Sequence, residues 1–385
     1  MSALDRERVY LDWNATTPPL SEALDAMRDV AGHAWGNPSS IHADGRAARA
    51  VVEDARAAVA QLTGADARDV LLTSGGTEAN NIAVRSAFES REPRWLLTSR
   101  LEHPSVARVA EALAEEGRAR VRWLRVTRSG VLDLADLEEA LAEANGAAAL
   151  VTAQAINHET GIVQPVREVI ALAHASGARV HIDAVQAWGK VPTEDLAAAD
   201  TASLAAHKIR GPKGIGALIS RAGLRLVPIL LGGAQEKGVR PGTVDPALAA
   251  GLGVAARHAI AGNVRYARIA ARRDALETAL LALAKGAAAP QVAGDPSRRA
   301  PHVSTIVWPG WIGAELVAAL DLEGLSVSSG AACSAGTIEA SPVIAAMLGD
   351  ALAASSVRAS LGDTTSEANV AQAISAFRRV LARST

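Results

Sequence analysis

Between residues 45 and 220, apolar runs of four to six residues recur with a single amphipathic, helix-spaced segment between most of them. No other feature restricts the fold as much. The spacing predicts helices over 46–62, 77–89, 104–116, 134–144 and 166–176. It predicts strands over 69–73, 94–98, 120–125, 148–152, 180–183, 201–205 and 215–220. Strands that are apolar throughout and linked by single helices point to a mainly parallel sheet covered by helices on both faces. Ligands of such sheets lie at the carboxyl ends of the strands.

The pattern then changes. Residues 248–283 read as a long helix interrupted near Gly262-Asn263, and 286–301, rich in Pro, Gly and Ala, as a surface loop. A strand over 303–308, a helix over 313–320 and a closing helix over 367–382 complete the chain. With 385 residues the chain exceeds what one core supports. We expect a large α/β domain over 15–255 and a smaller α+β C-terminal domain built from 256–385 with 1–14. A net charge of −2 offers nothing to nucleic acid or to an anionic membrane. No apolar stretch approaches ~20 residues, so no membrane span is expected. The charged first residues run straight into the strand-like 9–11 with no signal-like segment, which leads us to expect a cytoplasmic protein.

Lysine is scarce, with five residues against thirty-four arginines. Arginine stays protonated, whereas a desolvated lysine can act as an amine nucleophile and form a Schiff base. Lys208, in the segment His207-Lys208-Ile209-Arg210-Gly211-Pro212-Lys213-Gly214, therefore stands out. So does the one cysteine, Cys333, which excludes an internal disulfide and a multi-cysteine metal site. Its surroundings, Gly330-Ala331-Ala332-Cys333-Ser334-Ala335-Gly336, are small and polar and read as a loop carrying a reactive thiol.

Three more strand ends carry polar groups. Thr73-Ser74-Gly75-Gly76-Thr77 leads a strand into a helix, where free N–H groups and the helix dipole can hold a phosphate. Taken alone it is equally an ordinary turn. Asp183 ends a buried strand and needs a cationic partner, such as a pyridinium nitrogen, or else caps a helix. His103 sits where a strand enters a helix and could move protons beside an aromatic cofactor, or simply start that helix. A phosphate cradle, then His, then a strand-end Asp, then Lys is the order of groups that would hold pyridoxal phosphate.

The chain resembles the cysteine desulfurases of iron–sulfur cluster and nitrogenase assembly, members of the class V aminotransferase-like, fold-type I pyridoxal-phosphate enzymes. The matching stretches span nearly the whole chain in the family's order. They include Tyr10-Leu11-Asp12-Trp13-Asn14-Ala15-Thr16-Thr17-Pro18, Gly36-Asn37-Pro38-Ser39-Ser40-Ile41-His42, Asn157-His158-Glu159-Thr160-Gly161, Arg240-Pro241-Gly242-Thr243 and Ser355-Ser356-Val357-Arg358. The resemblance implies that Lys208 forms the Schiff base with pyridoxal phosphate. It implies that Gly76, Thr77 and His207 hold the phosphate, joined by Thr243 from the second subunit of a homodimer. It gives Asp183 the pyridine nitrogen, Gln186 the ring phenolate oxygen, His103 the ring face and a proton, and Asn157 and Arg358 the substrate carboxylate.

The reaction implied is removal of sulfur from L-cysteine, giving L-alanine and a persulfide on Cys333 that an acceptor protein takes. The resemblance has departures: Ala205 and Ala206 replace a hydroxyl residue and a glycine before His207, and His158 stands where Asn is common. Gln154 and Ala155 replace bulkier residues, Ala234 a glycine and Pro241 a serine. The competing readings are a selenocysteine lyase or other class V enzyme, and a non-catalytic sulfur-relay or scaffold protein with a degenerate cofactor site.

Overall fold

The computed structural model describes residues 8–90, 92–221, 224–283, 289–330 and 340–383. A short strand β1 (Val9–Tyr10) precedes helices α1 (Ser21–His33) and α2 (Ala43–Thr63). The alternating region follows as β2 (Val70–Thr73), α3 (Gly76–Ser86), β3 (Arg94–Ser99), α4 (Pro104–Glu115), β4 (Ala119–Leu124), α5 (Leu134–Ala144), β5 (Ala148–Gln154), α6 (Val166–Ala175), β6 (Arg179–Asp183), β7 (Thr201–Ala205) and β8 (Gly216–Ser220). The later elements are α7 (Pro246–Ala259), α8 (Gly262–Ala267), α9 (Ala270–Leu281), β9 (Gln291–Val292), β10 (Val303–Val307), α10 (Gly313–Leu322), β11 (Leu325–Ser326), α11 (Pro342–Leu348), β12 (Ser356–Ser360) and α12 (Glu367–Leu381).

Seven strands form one sheet in the order β2-β8-β7-β6-β5-β3-β4. All neighbours are parallel except at β8, which runs antiparallel to both β2 and β7. The centre of this sheet is dry: β5 and β7 are buried at every position, which is why their sequences show no alternation. Caps set the helix starts around it. Asp133 accepts from the backbone N–H groups of Ala135 and Asp136 to start α5, and His103 accepts from Ser105 N to start α4, with Pro104 in the first turn.

The helical stretch over 248–283 is interrupted near Gly262, as expected, and broken a second time after Ala267, giving the three helices α7, α8 and α9. The break near Gly262 has a steric cause. A Cβ on Gly262 would lie 2.1 Å from the carbonyl oxygen of Gly189, so the chain turns where it crosses that loop. Within the expected loop 286–301 lies the short strand β9, paired antiparallel with β10.

Two main apolar cores result. One lies under the large sheet and includes Val52, Leu72, Leu97, Val151, Ile182, Trp188, Leu204 and Leu252. The other joins Val9 and Leu11 from the start of the chain to Tyr266, Leu276, Trp308, Leu316, Val357 and Phe377. β1 is held there by parallel pairing with β11. Among the described residues, no helix is long and apolar enough to cross a membrane.

Candidate active site

A cavity of about 310 Å³ opens at the carboxyl ends of β5, β6 and β7. Its wall includes Gly76, Thr77, His103, Asp183, Gln186, His207, Lys208 and Arg358, which are widely separated in sequence. Most are delivered by a strand end, a helix start or the turn after a strand, where a side chain can face a ligand; Arg358 instead projects from the middle of β12.

One end of the cavity is the N-terminus of α3. Its backbone N–H groups have no helical acceptors and carry the positive end of the dipole, a setting for an anion. Gly76 leaves room for one: a Cβ there would stand 2.6 Å from Val185 Cγ2. His207 borders the same region, its Nδ1 3.1 Å from Thr16 Oγ1. Burial, then the positive charges of Lys208, Lys213 and Lys190, bring its pKa down to about 4, so it acts as a neutral hydrogen-bonding group.

Toward the middle of the sheet, three donors converge on the Asp183 carboxyl. Asn80 Nδ2 donates at 2.9 Å, Val185 N at 3.1 Å and Ser203 Oγ at 3.3 Å. Behind it, His181 Nε2 lies 2.9 Å from Asn80 Oδ1 and its Nδ1 2.9 Å from Thr201 Oγ1. Because the Asn80 amide nitrogen already donates to Asp183 and Ser105, its oxygen must accept, which puts the His181 proton on Nε2. Burial holds the His181 pKa near 4, so the ring is neutral and the network is fixed in one sense. The sequence reading missed Asn80 and His181. Asn80 lies four residues after Gly76, on the same side of α3, and His181 lies two before Asp183, on the same face of β6.

His103 caps α4 through Nδ1, which accepts from Ser105 N at 3.1 Å and lies 2.8 Å from Ser105 Oγ. Cap and cavity wall are thus one residue, and a neutral ring carries its proton on Nε2. Burial lowers its pKa, Asp183 opposes that shift and Lys208 adds to it. The His158 ring meets it edge to face with centroids 5.2 Å apart.

Lys208 lies in the last turn of a short 3₁₀ segment after β7. Its Nζ donates to the carbonyls of Asn14 and Ala15, the latter at 2.9 Å. Asn14, also missed, is a hub. Its carbonyl accepts from Gln186 Nε2 at 2.9 Å, its Nδ2 donates to His158 O at 3.1 Å, and its Oδ1 lies 2.9 Å from His302 Nε2.

Arg358, on β12, donates through NH1 to His158 O at 2.8 Å and through NH2 to Asp12 Oδ1 at 2.7 Å. Its Nε is buried without a hydrogen-bond partner among the described residues.

Two residues read from the sequence are not on this wall. Asn157 is fully buried and its amide is engaged: Oδ1 accepts from Glu159 N and from Thr160 N and Oγ1, and Nδ2 donates to Leu101 O. It shapes the 157–161 turn rather than facing the cavity. Thr243 is exposed on the surface. Cys333 lies outside the described residues, while Gly330 lines the cavity.

A family model described as aminotransferase class-V matches residues 9–372. The chain belongs to the aminotransferase class-V family. A cysteine desulfurase of Cereibacter sphaeroides is 42% identical to this class-V chain over 372 residues, 94% of the chain and 93% of the relative. The cysteine desulfurase NifS of Azotobacter vinelandii is 38% identical over 371 residues, 95% and 90% of the two. The solved structure of a NifS-like protein superposes with a TM-score of 0.89 at 29% identity, over 98% of this chain and 100% of its own.

Among the departures of this class-V chain, Ala205 and His158 both line the cavity. The Ala205 methyl carbon is 3.7 Å from where a Cβ on Gly76 would stand, so a hydroxyl is missing at the anion end.

Glu102, next to His103, is fully buried, and its pKa is pushed up to about 8, first by burial and then by Asp183, against a smaller opposing effect of Thr152. It is therefore protonated at neutral pH and adds no second negative charge beside Asp183. A raised carboxyl stabilises the fold below its ordinary pKa of 4.5 and loses that contribution as pH climbs toward 8. Glu102→Gln removes the ionisation. Unfolding free energies from denaturant titration should then show the parent losing up to about 4 kcal/mol relative to the variant between pH 5 and 8. Parallel curves would show that Glu102 does not carry the proton.

Proposed function

We propose that this chain is a pyridoxal-phosphate-dependent cysteine desulfurase, converting L-cysteine to L-alanine and placing the sulfur as a persulfide on Cys333 for an acceptor protein. The observation that carries this reading is the single cavity joining an anion-binding helix start, a strand-end carboxyl and a lysine amine. The groups fit the cofactor: a phosphate for the α3 N-terminus, Thr77 and His207, a pyridine nitrogen for Asp183, a ring oxygen for Gln186, and an aldehyde for Lys208. When bound, pyridoxal phosphate supplies an electron-withdrawing ring that makes the Cα proton of an attached amino acid acidic.

The chain's own groups do the rest. Lys208 Nζ takes the Cα proton, oriented by the Asn14 and Ala15 carbonyls. His103 Nε2 gives or takes a proton at the substrate side, with its other nitrogen fixed by Ser105. Arg358 grips the carboxylate through the N–H groups it leaves unused, and its anchors on Asp12 and His158 keep the guanidinium in place. Asn157 supports that grip by holding the turn that presents the His158 carbonyl. Asp183, fixed by its three donors, keeps the ring nitrogen protonated.

We assign 15–255 to the cofactor-binding domain and 1–14 with 256–385 to the small domain. The chain acts as a homodimer in the cytoplasm, with the exposed Thr243 completing the partner's phosphate cradle. The exposed apolar side chains of Trp35, Ile41, Leu230 and Leu231 support such an interface.

The test is stoichiometric alanine and sulfide release from L-cysteine by protein loaded with pyridoxal phosphate, with an added thiol that reduces the Cys333 persulfide to sulfide. Loaded protein that releases neither contradicts the proposal. Gly76→Ala brings a methyl against Val185 and should weaken cofactor binding by the apoprotein about tenfold or more. Val185→Ala in the same chain should restore it. Unchanged affinity in the single variant would show that the cradle does not depend on that close approach.

A further inference from the structure

Lys190 is one of the largest fully buried side chains in the molecule, 2% exposed, and no step of the proposed reaction uses it. It ends the 183–190 segment that carries Asp183 and Gln186. Its Nζ donates to Gln186 Oε1 at 2.8 Å. On the other side of that carboxamide, Gln186 Nε2 donates to the Asn14 carbonyl at 2.9 Å, and the same carbonyl accepts from Lys208 Nζ.

A carboxamide has an oxygen end and a nitrogen end of nearly equal size, so packing alone does not choose between them. Partners choose. At Gln186 a donor, Lys190, meets one end and an acceptor, the Asn14 carbonyl, meets the other. Only one orientation satisfies both. In it the second Nε2 hydrogen is left for the cavity, whose wall Gln186 forms.

We propose that Lys190 is a positioning residue that locks the Gln186 carboxamide so that it presents a hydrogen-bond donor to the ligand. The proposal rests on the reading above, in which Gln186 faces the anionic oxygen of the pyridoxal ring. A flipped amide would aim an oxygen at that oxygen. The lock also ties to Lys208 through their shared acceptor, so one buried amine helps set the geometry of the other. The charged and titratable groups whose charges act with Lys190 are Lys208, Arg358, His207 and His302, with no carboxylate among them. Burial, then the charges of Lys208 and Arg358, hold its pKa well below the usual lysine value, and the geometry gives it the role of donor to Gln186 Oε1.

Lys190→Met keeps the length of the side chain and removes the donor. Three measurements on the full chain test the lock: melting temperature, affinity of the apoprotein for pyridoxal phosphate, and the pH midpoint of the bound cofactor's visible absorption. We expect a folded variant with about tenfold weaker cofactor affinity. We expect the absorption midpoint to rise by about one pH unit, because an N–H donor that favoured the deprotonated ring oxygen is lost.

A double-mutant cycle with Gln186→Met separates positioning from general stability. If Lys190 acts through Gln186, Lys190→Met changes neither affinity nor midpoint further in the Gln186→Met background. Parent-like affinity and midpoint in Lys190→Met, or an equal change in both backgrounds, overturns the lock while leaving the functional reading intact. Failure of the parent apoprotein to take up pyridoxal phosphate overturns both.

Discussion

Lys208→Ala should lower alanine release from L-cysteine by at least ~10³-fold, because it removes both the amine that links to the cofactor and the base that takes the Cα proton. The fold should survive. Lys208 Nζ makes its contacts at the edge of a cavity, to the backbone carbonyls of Asn14 and Ala15. Asn14 O keeps the Gln186 donor. The loss should therefore appear in turnover and in cofactor linkage while the melting temperature moves little. Turnover at the parental rate would mean that another group supplies the amine.

Cys333→Ser should abolish sulfide and persulfide formation, with a fall of ~10³-fold or more, while cofactor uptake and colour stay as in the parent. A serine hydroxyl is a far weaker nucleophile toward sulfur than a thiolate and cannot carry a persulfide. The two variants thus separate: one loses cofactor linkage and turnover, the other loses sulfur transfer alone. The chain holds no second cysteine that could substitute. Parental sulfide release from Cys333→Ser would remove this residue from the reaction and favour direct release of sulfur from the substrate.

How much of this was readable from the sequence depends on how local each signal is. The helix–strand alternation, Lys208, Asp183 and the Gly75-Gly76 turn were legible because each combines a residue type with a strand end a few residues away. The antiparallel course of β8 carried a signal that went unused: β7 ends at Ala205 and β8 starts at Gly216, too short a link to hold a crossover helix. β12 escaped for a different reason. Its polar positions Ser356, Arg358 and Ser360 are all buried, so the alternation does not look like a core strand.

Asn80, His181 and Asn14 were invisible as site residues because their roles arise from pairings across long separations, such as Asn80 with Asp183; Lys190 pairs with Gln186 four residues away, but its burial, which gives that contact its meaning, is set by the fold. Asn157 is the reverse case. Its motif was plain, but its side-chain oxygen is held by the turn that the motif builds and its amide nitrogen by the Leu101 carbonyl.

The account stands most directly on the bond between the Lys208 amine and the cofactor aldehyde. Borohydride reduction of the loaded protein, followed by peptide mass mapping, reads that bond in one measurement. The expected result is a pyridoxyl group on the peptide containing Lys208 and on no other lysine. An adduct on a different lysine, or none in protein that has taken up the cofactor, contradicts the account.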